Sequence, residues 1–243
     1  MSKNCPIMKR MKSNYEDRYR FQLTRRTPVI IRIDGKAFHT YTKSLNKPFD
    51  EELIDDMRQT TLFLCKNIQG AKLGYTQSDE ISILLTDYDN LNTEGWFDYN
   101  LQKMVSISAS ITTSKFNQLR TQRFYSLMAS RFEEKDLINL PLAQFDSRCF
   151  NIPKEEVSNY FLARQKDAIK NSISMLGQSL YSHKQLEFKN SNQIQEMCFQ
   201  KGINWNNLEY FKKRGSTVIK ENNEWNLVET PETFAANYFE NLI

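Results

Sequence analysis

Two short stretches hold the side chains best suited to chemistry. In RIDGKAFH, Arg32 to His39, one carboxylate and a glycine follow the apolar run Pro28–Ile31. In TQSDEISILL, Thr76 to Leu85, Asp79 and Glu80 stand just before another apolar run. Taken singly, Asp-Gly and Ser-Asp-Glu are also common turn sequences. If the chain brings them together, their carboxylates repel. Keeping both ionised beside a low-dielectric sheet is costly unless a cation lies between them. Magnesium suits such a pair: it takes hard oxygen ligands, needs few protein contacts, and completes its shell with water and phosphate. Two magnesium ions bridged by Asp34 and Asp79 would stabilise the attacking and leaving oxygens of a phosphoryl or nucleotidyl transfer. Gly35 permits close approach, and its carbonyl is a further candidate ligand. The amides of Lys36, Ala37, Phe38 and His39 form a candidate nest for a triphosphate, with Lys36, Lys47 and Lys103 as candidate counter-charges. His39 reads equally as a packing residue, and His183 as a surface residue near a helix end.

Positioning these groups falls to the elements around them. Val29–Asp34 is β-branched and continuous, as a buried strand requires. Asp50 is placed to cap a helix whose Leu53, Met57, Leu64 and Ile68 keep the helical period and which Gly70 ends. Strands are expected over Ala71–Tyr75 and Ile81–Thr86, joined tightly by QSDE. A second helix is expected from Trp96 to about Phe116, and a fourth strand around Ala143–Ile152. This order predicts an α+β fold with a ferredoxin-like βαββαβ, palm-like core. The right-handed crossover makes strands one and two parallel, with strand three returning between them. Asp34, at the end of strand one, should then meet Asp79 and Glu80 at the start of strand three. The remainder, residues 153–243, reads as a helical extension packed on the 1–152 core as one unit. It comprises one long helix after Pro153, a helix over Ser191–Gln200 with Ser191 as its cap, short strands STVIK and EWNLVE, and a closing helix.

Composition sets outer limits. The 243 residues, 40% hydrophobic, suit one large domain or one domain with an extension. The longest apolar runs are too short to span a bilayer, and the first twenty residues lack the apolar segment of a signal peptide, so no membrane and a cytoplasmic location are expected. Four separated cysteines without a CxxC, and only two histidines, argue against structural zinc. The net charge of +4 is unevenly spread: residues 1–30 carry eight basic and two acidic groups, and Lys115–Arg131 carries four basic and no acidic ones. After Lys220 there are five acids and no base. Such clusters permit a polyanionic partner.

As a set and in this order, RIDGKAFHTYT, NKPFDEEL and GYTQSDEISILL resemble the tRNA-histidine guanylyltransferase superfamily, polymerases that add nucleotides in the 3′-to-5′ direction. FDSRCFNIP, ARQKDAIKN and KKRGSTVI are similar to later elements of that family, so the likeness runs over roughly residues 25–220. The resemblance implies a polymerase-palm core with two magnesium ions held by Asp34, Asp79 and the Gly35 carbonyl, and with Glu80 as a required neighbouring carboxylate. It implies nucleoside triphosphates, ATP and GTP among them, bound by Lys36–His39, Lys47, Ser78 and Lys103. It also implies RNA-end or subunit contacts by Arg148, Arg164, Asn171, Lys213 and Arg214, and a homotetramer built as a dimer of dimers. Where the eukaryotic tRNA-histidine enzymes carry His-Ile-Asn-Asn, this chain has Ile169, Lys170, Asn171 and Ser172, and a basic position of the phosphate-contact helix is Asn100. These departures favour the bacterial- and archaeal-type branch, which restores 5′-truncated tRNA by copying the opposite strand. Untemplated addition of G to tRNA-histidine is the alternative. A nucleotide cyclase on the same palm, or a non-catalytic RNA-binding module, are further readings. Against the cyclase, the second turn reads QSDEIS rather than GG(D/E)EF.

Overall fold

The computed structural model describes residues 5–128, 141–240 and 242–243. The end of the basic run, Ala129–Arg131, lies outside the described residues. Six strands form one sheet: β1 Val29–Gly35, β2 Ala71–Gln77, β3 Glu80–Leu85, β4 Phe145–Asn151, β5 Ser216–Glu221 and β6 Glu224–Val228, in the spatial order β4-β1-β3-β2-β5-β6. Every pairing is antiparallel. Since β3 pairs antiparallel with both β1 and β2, those two run in the same direction, as the ferredoxin-like order requires. The hairpin β5–β6 joins the edge at β2 and lengthens the sheet.

The helices are α1 Pro6–Met11, α2 Phe38–Tyr41, α3 Glu51–Asn67, α4 Leu101–Met128, α5 Val157–Leu180, α6 His183–Leu186, α7 Ser191–Gln200, α8 Tyr210–Arg214 and α9 Ala236–Phe239. Strand alternation divides the core. Val29, Ile31, Ile33, Ile81, Ile83 and Leu85 pack with Met57 and Leu64 of α3 and Met104 and Phe116 of α4. The opposite face, through Ile30, Leu73, Tyr75 and Leu84, packs with Val157 and Phe161 of α5 and with Phe234 and Phe239 near the C-terminus. Arg32 and Asp34 lie in phase with Ile30, so they belong to this second face.

Several boundaries differ from expectation for local reasons. The helix expected from Trp96 begins at Leu101, because Phe97 and Asp98 take left-handed backbone angles in the turn before it, and it runs on past Phe116 to Met128. The expected single helix after Pro153 starts with a 3-10 turn, Lys154–Glu156, before α5. The cap of α7 is Asn190 rather than Ser191. The Asn190 side chain accepts from the Gln193 amide at 3.0 Å, and Gln193 reciprocates on the Asn190 amide at 2.9 Å. Asp50 does cap α3, accepting from the Leu53 amide at 2.8 Å. The C-terminal helix is a single turn.

Candidate active site

The antiparallel register sets the acidic residues together. Asp34 on β1 stands opposite Glu80 on β3, and the Gly35 amide donates to the Asp79 carbonyl at 3.2 Å. The hairpin between β2 and β3 is closed by Ser78 and Asp79 alone. Ser78 has a left-handed φ of 50°, and its hydroxyl donates to the Asp79 carboxylate at 3.0 Å. Burial raises the Asp79 carboxyl above the usual carboxylate range, and the negative charge of Asp34 raises it further. Hydrogen bonds from its own amide and from Ser78 only partly offset this. The two groups therefore feel each other, as convergence at one sheet edge demands.

Glu80 is held differently. It is buried, and its Oε2 takes Arg32 Nη2 at 2.6 Å and Arg164 Nη1 of α5 at 3.1 Å. Burial raises its carboxyl, the two arginines pull it down, and Asp34 pushes it up again. Its other oxygen, Oε1, is buried without a hydrogen-bond partner. Glu80 thus balances two guanidinium groups beside Asp34. This arginine pair escapes a search for acids alone, although both arginines stand in the matched motifs.

The edge strand β4 adds a carboxylate that sequence inspection passed over. Asp146 pairs in register with Asp34 on its other side, so Glu80, Asp34 and Asp146 form one row across three strands. Asp146 is exposed and meets Arg148 at 3.2 Å, and Arg148 itself stands opposite Arg32. The alternation in FDSR was the available signal.

The loop after Gly35 is fixed by aromatic packing. Phe38 is buried, its ring centroid 4.9 Å from Tyr41, 5.1 Å from Phe145 and 5.9 Å from Phe116. A Cβ at position 35 would sit 2.2 Å from the Phe38 ring, which is the reason for glycine there. Within the expected Lys36–His39 nest, the first amide has a partner in the protein. The Lys36 amide is taken by the Gln144 carbonyl at 2.8 Å, and its Nζ donates to Gln144 Oε1 at 2.9 Å. The turn therefore opens at Ala37, with a φ of 53°. The Phe38 side chain is buried, and exposed His39 lies 3.1 Å from the Thr40 hydroxyl.

A pocket beside the hairpin gathers other expected residues. Its walls include Asp50 and Phe49, Gln77 and Ser78, Asn171 of α5, and Lys213 of α8. Lys47 is exposed close by in sequence, its Nζ donating to the Thr42 carbonyl at 3.0 Å. Ser172 faces inward and accepts from Trp205 Nε1 at 3.0 Å. Lys213 donates to the Asn206 carbonyl at 2.6 Å, and Arg214 meets Glu232 at 3.5 Å.

Lys103 stands in the first turn of α4. Further along α4, Ser108 bonds Ser147 and Asn117 bonds Ala143, so the helix runs against β4 and its start lies toward Asn151. Asn151 pairs with Val29, five residues or about 17 Å along the strand from Asp34. The Lys103 ammonium lies over the Phe97 ring, 5.9 Å from its centroid.

Among the described residues no group of three or more His, Cys, Asp or Glu side chains forms a metal cage. The Asp34 and Asp79 carboxylates with the Gly35 carbonyl instead offer a sparse, hard-oxygen donor set. This fits an ion such as magnesium, which keeps waters and takes substrate phosphate oxygens.

A ferredoxin-like sheet with acidic residues gathered at one rim is a palm-type fold. Residues 8–153 match the family model described as Thg1: tRNAHis guanylyltransferase, and the chain belongs to that family, whose members are nucleotidyltransferases. It is 30% identical over 208 residues to tRNA(His) guanylyltransferase of Saccharomyces cerevisiae, covering 79% of this chain and 82% of that one. A bacterial tRNA(His) guanylyltransferase (Thg1)-like protein in complex with ATP has a similar structure, with TM-score 0.81 and 48% identity over 93% of each chain. The crystal structure of the S. cerevisiae enzyme is similar at TM-score 0.64 and 27% identity, over 91% of this chain and 97% of that one. No described helix is long and apolar enough to cross a membrane.

Proposed function

We propose that this protein adds nucleotides in the 3′-to-5′ direction to the 5′ end of tRNA, restoring truncated ends by copying the opposite strand of the acceptor stem. The single observation that carries the chemistry is the placement of Asp34 and Asp79 at one sheet edge, with the Gly35 amide donating to the Asp79 carbonyl. In the first step the RNA 5′-monophosphate attacks the α-phosphorus of ATP, releasing pyrophosphate and leaving an adenylylated end. The 3′-hydroxyl of an incoming nucleoside triphosphate then attacks the RNA 5′ phosphorus, and AMP leaves. Asp34, Asp79 and the Gly35 carbonyl would hold two magnesium ions, which when bound supply charge stabilisation for the attacking and leaving oxygens. The amides from Ala37 onward and the Lys36 and Lys47 ammonium groups orient the triphosphate. The pocket between Asp50, Ser78 and Asn171 seats a nucleobase. Arg32 and Arg164, steadied by Glu80, present positive charge beside the reacting phosphates.

Support for templated repair over untemplated G addition comes from two sides. The bacterial Thg1-like structures share 48% and 45% identity with this chain, against 27% for the yeast enzyme structure. The position of a family asparagine is Ser172, whose hydroxyl is committed to Trp205. A cytoplasmic homotetramer is part of the same proposal. The names of the eukaryotic relatives favour G addition as the second reading. The test is labelled-nucleotide addition to tRNA lacking its first one or two 5′ nucleotides, with matched and altered opposite strands. Incorporation that follows the opposite base is expected; G added whatever the opposite base contradicts it.

A further inference from the structure

The chain before β1 is unlike the rest of the molecule. From Pro6 to Tyr19 it is helical, as α1, then a π turn Lys12–Glu16, then a 3-10 turn Asp17–Tyr19, and none of these elements has a buried residue. Tyr15, Tyr19 and Phe21 are 60–64% exposed. Arg18 and Arg20 bracket Tyr19, and Lys9, Arg10 and Lys12 precede them, against only Glu16 and Asp17. Asp17 meets Arg20 at 3.4 Å, and five basic against two acidic groups leave the segment cationic. The root of the segment is ordered: the Phe21 carbonyl accepts from the Leu101 amide at 2.9 Å, and the Leu23 amide donates to Tyr99 at 2.9 Å. At that root stand exposed Phe97 and Lys103, whose ammonium lies over the Phe97 ring.

A row of exposed rings between cations is a surface that single-stranded nucleic acid can cover. Bases stack on the rings while phosphates meet the cations. We propose that the arm Pro6–Phe21, with Phe97 and Lys103 at its root, binds unpaired nucleotides of an RNA. The charge complementarity selects a polyanion, and the interleaving of rings with arginines selects unpaired bases over a bare duplex. The choice of RNA rests on the function proposed above, but the binding does not depend on catalysis. Lys103 then has a phosphate to meet at the far end of the sheet, where it is placed.

The test is fluorescence anisotropy with a labelled single-stranded RNA oligonucleotide and a hairpin duplex of equal length, from 50 to 200 mM salt. The triple variant Tyr15→Ala/Tyr19→Ala/Phe21→Ala should lose roughly tenfold or more in single-strand affinity, with its salt slope unchanged and the duplex little affected. Arg18→Ala/Arg20→Ala should flatten the single-strand slope by about 1.4, at about 0.7 per lost phosphate contact. Unchanged far-UV circular dichroism and GTP affinity would show that both variants fold. Single-strand affinity and slope equal to wild type in both would overturn the proposal, as would variants that only dissociate an oligomer without weakening RNA binding. A wild type that binds RNA through the arm yet adds no nucleotide would sink the proposed reaction and leave this inference standing.

Discussion

The amide of Gly35 donates to the carbonyl of Asp79 at 3.2 Å, tying the turn after β1 to the turn before β3. That bond, with the Asp34–Glu80 register pair beside it, converts two ordinary turn sequences into one acidic rim.

The rim leaves a stability signature. Asp79 is raised chiefly by burial, with Asp34 adding to it. A carboxyl raised on folding stabilises fully below its unfolded pKa, and the benefit is lost as pH rises through the folded value. Metal-free protein should therefore lose stability between those two values, and Asp79→Asn should remove that part of the loss. Melting temperatures across pH 3 to 8 without divalent ions should show the variant higher than wild type near neutrality. Added magnesium should stabilise wild type and not Asp79→Asn. A lower neutral-pH melting temperature for the variant in metal-free buffer goes against the account.

Glu80 is a buried charge whose pairing matters to folding. Replacing Arg164 by Met removes one of its two guanidinium partners and leaves a less compensated buried carboxylate, a cost of about 1–3 kcal/mol. Urea denaturation should find the loss, and Arg164→Met/Glu80→Gln should recover part of it. Additive losses in the double variant would show that the contact contributes little.

Gly35→Ala drives a methyl into the Phe38 ring. The loop must shift, with about 1–3 kcal/mol of stability lost. Because that loop is proposed to cradle the triphosphate, KM for the nucleotide should rise several-fold more than that for RNA. Equal effects on both substrates would separate the loop from nucleotide binding.

Asp50 accepts from the amides of Leu53 at 2.8 Å and Asn46 at 3.1 Å. Asp50→Ala should cost about 1–2 kcal/mol through the lost cap of α3. It also lines the pocket by Ser78, so thermal denaturation and nucleotide titration should both respond. A change in stability with unaltered nucleotide affinity would mean that Asp50 is a cap and nothing more.

Much of the rim was legible in the sequence because strand direction and crossover hand are general constraints: Asp34, Asp79 and Glu80 needed only the order of elements to converge. What was hidden depends on side-chain contact. The pairing of Glu80 with Arg32 and Arg164 joins residues up to 84 apart and has no local pattern. For Lys103, charge and motif say which residue, whereas the direction of α4 along β4, fixed by contacts such as Ser108–Ser147, says where. Helix starts failed where left-handed residues intervened, as at Phe97 and Asp98, or where a neighbour capped better, as Asn190 does.

The central claim is that Asp34 and Asp79 together hold divalent metal for nucleotidyl transfer. Its most direct test is calorimetric titration of manganese into the GTP-bound protein, wild type against Asp34→Asn and Asp79→Asn, with nucleotide addition to truncated tRNA measured on the same preparations. Metal binding and addition should both be lost in each variant while circular dichroism stays native. Wild-type metal affinity and turnover in either variant would contradict the account.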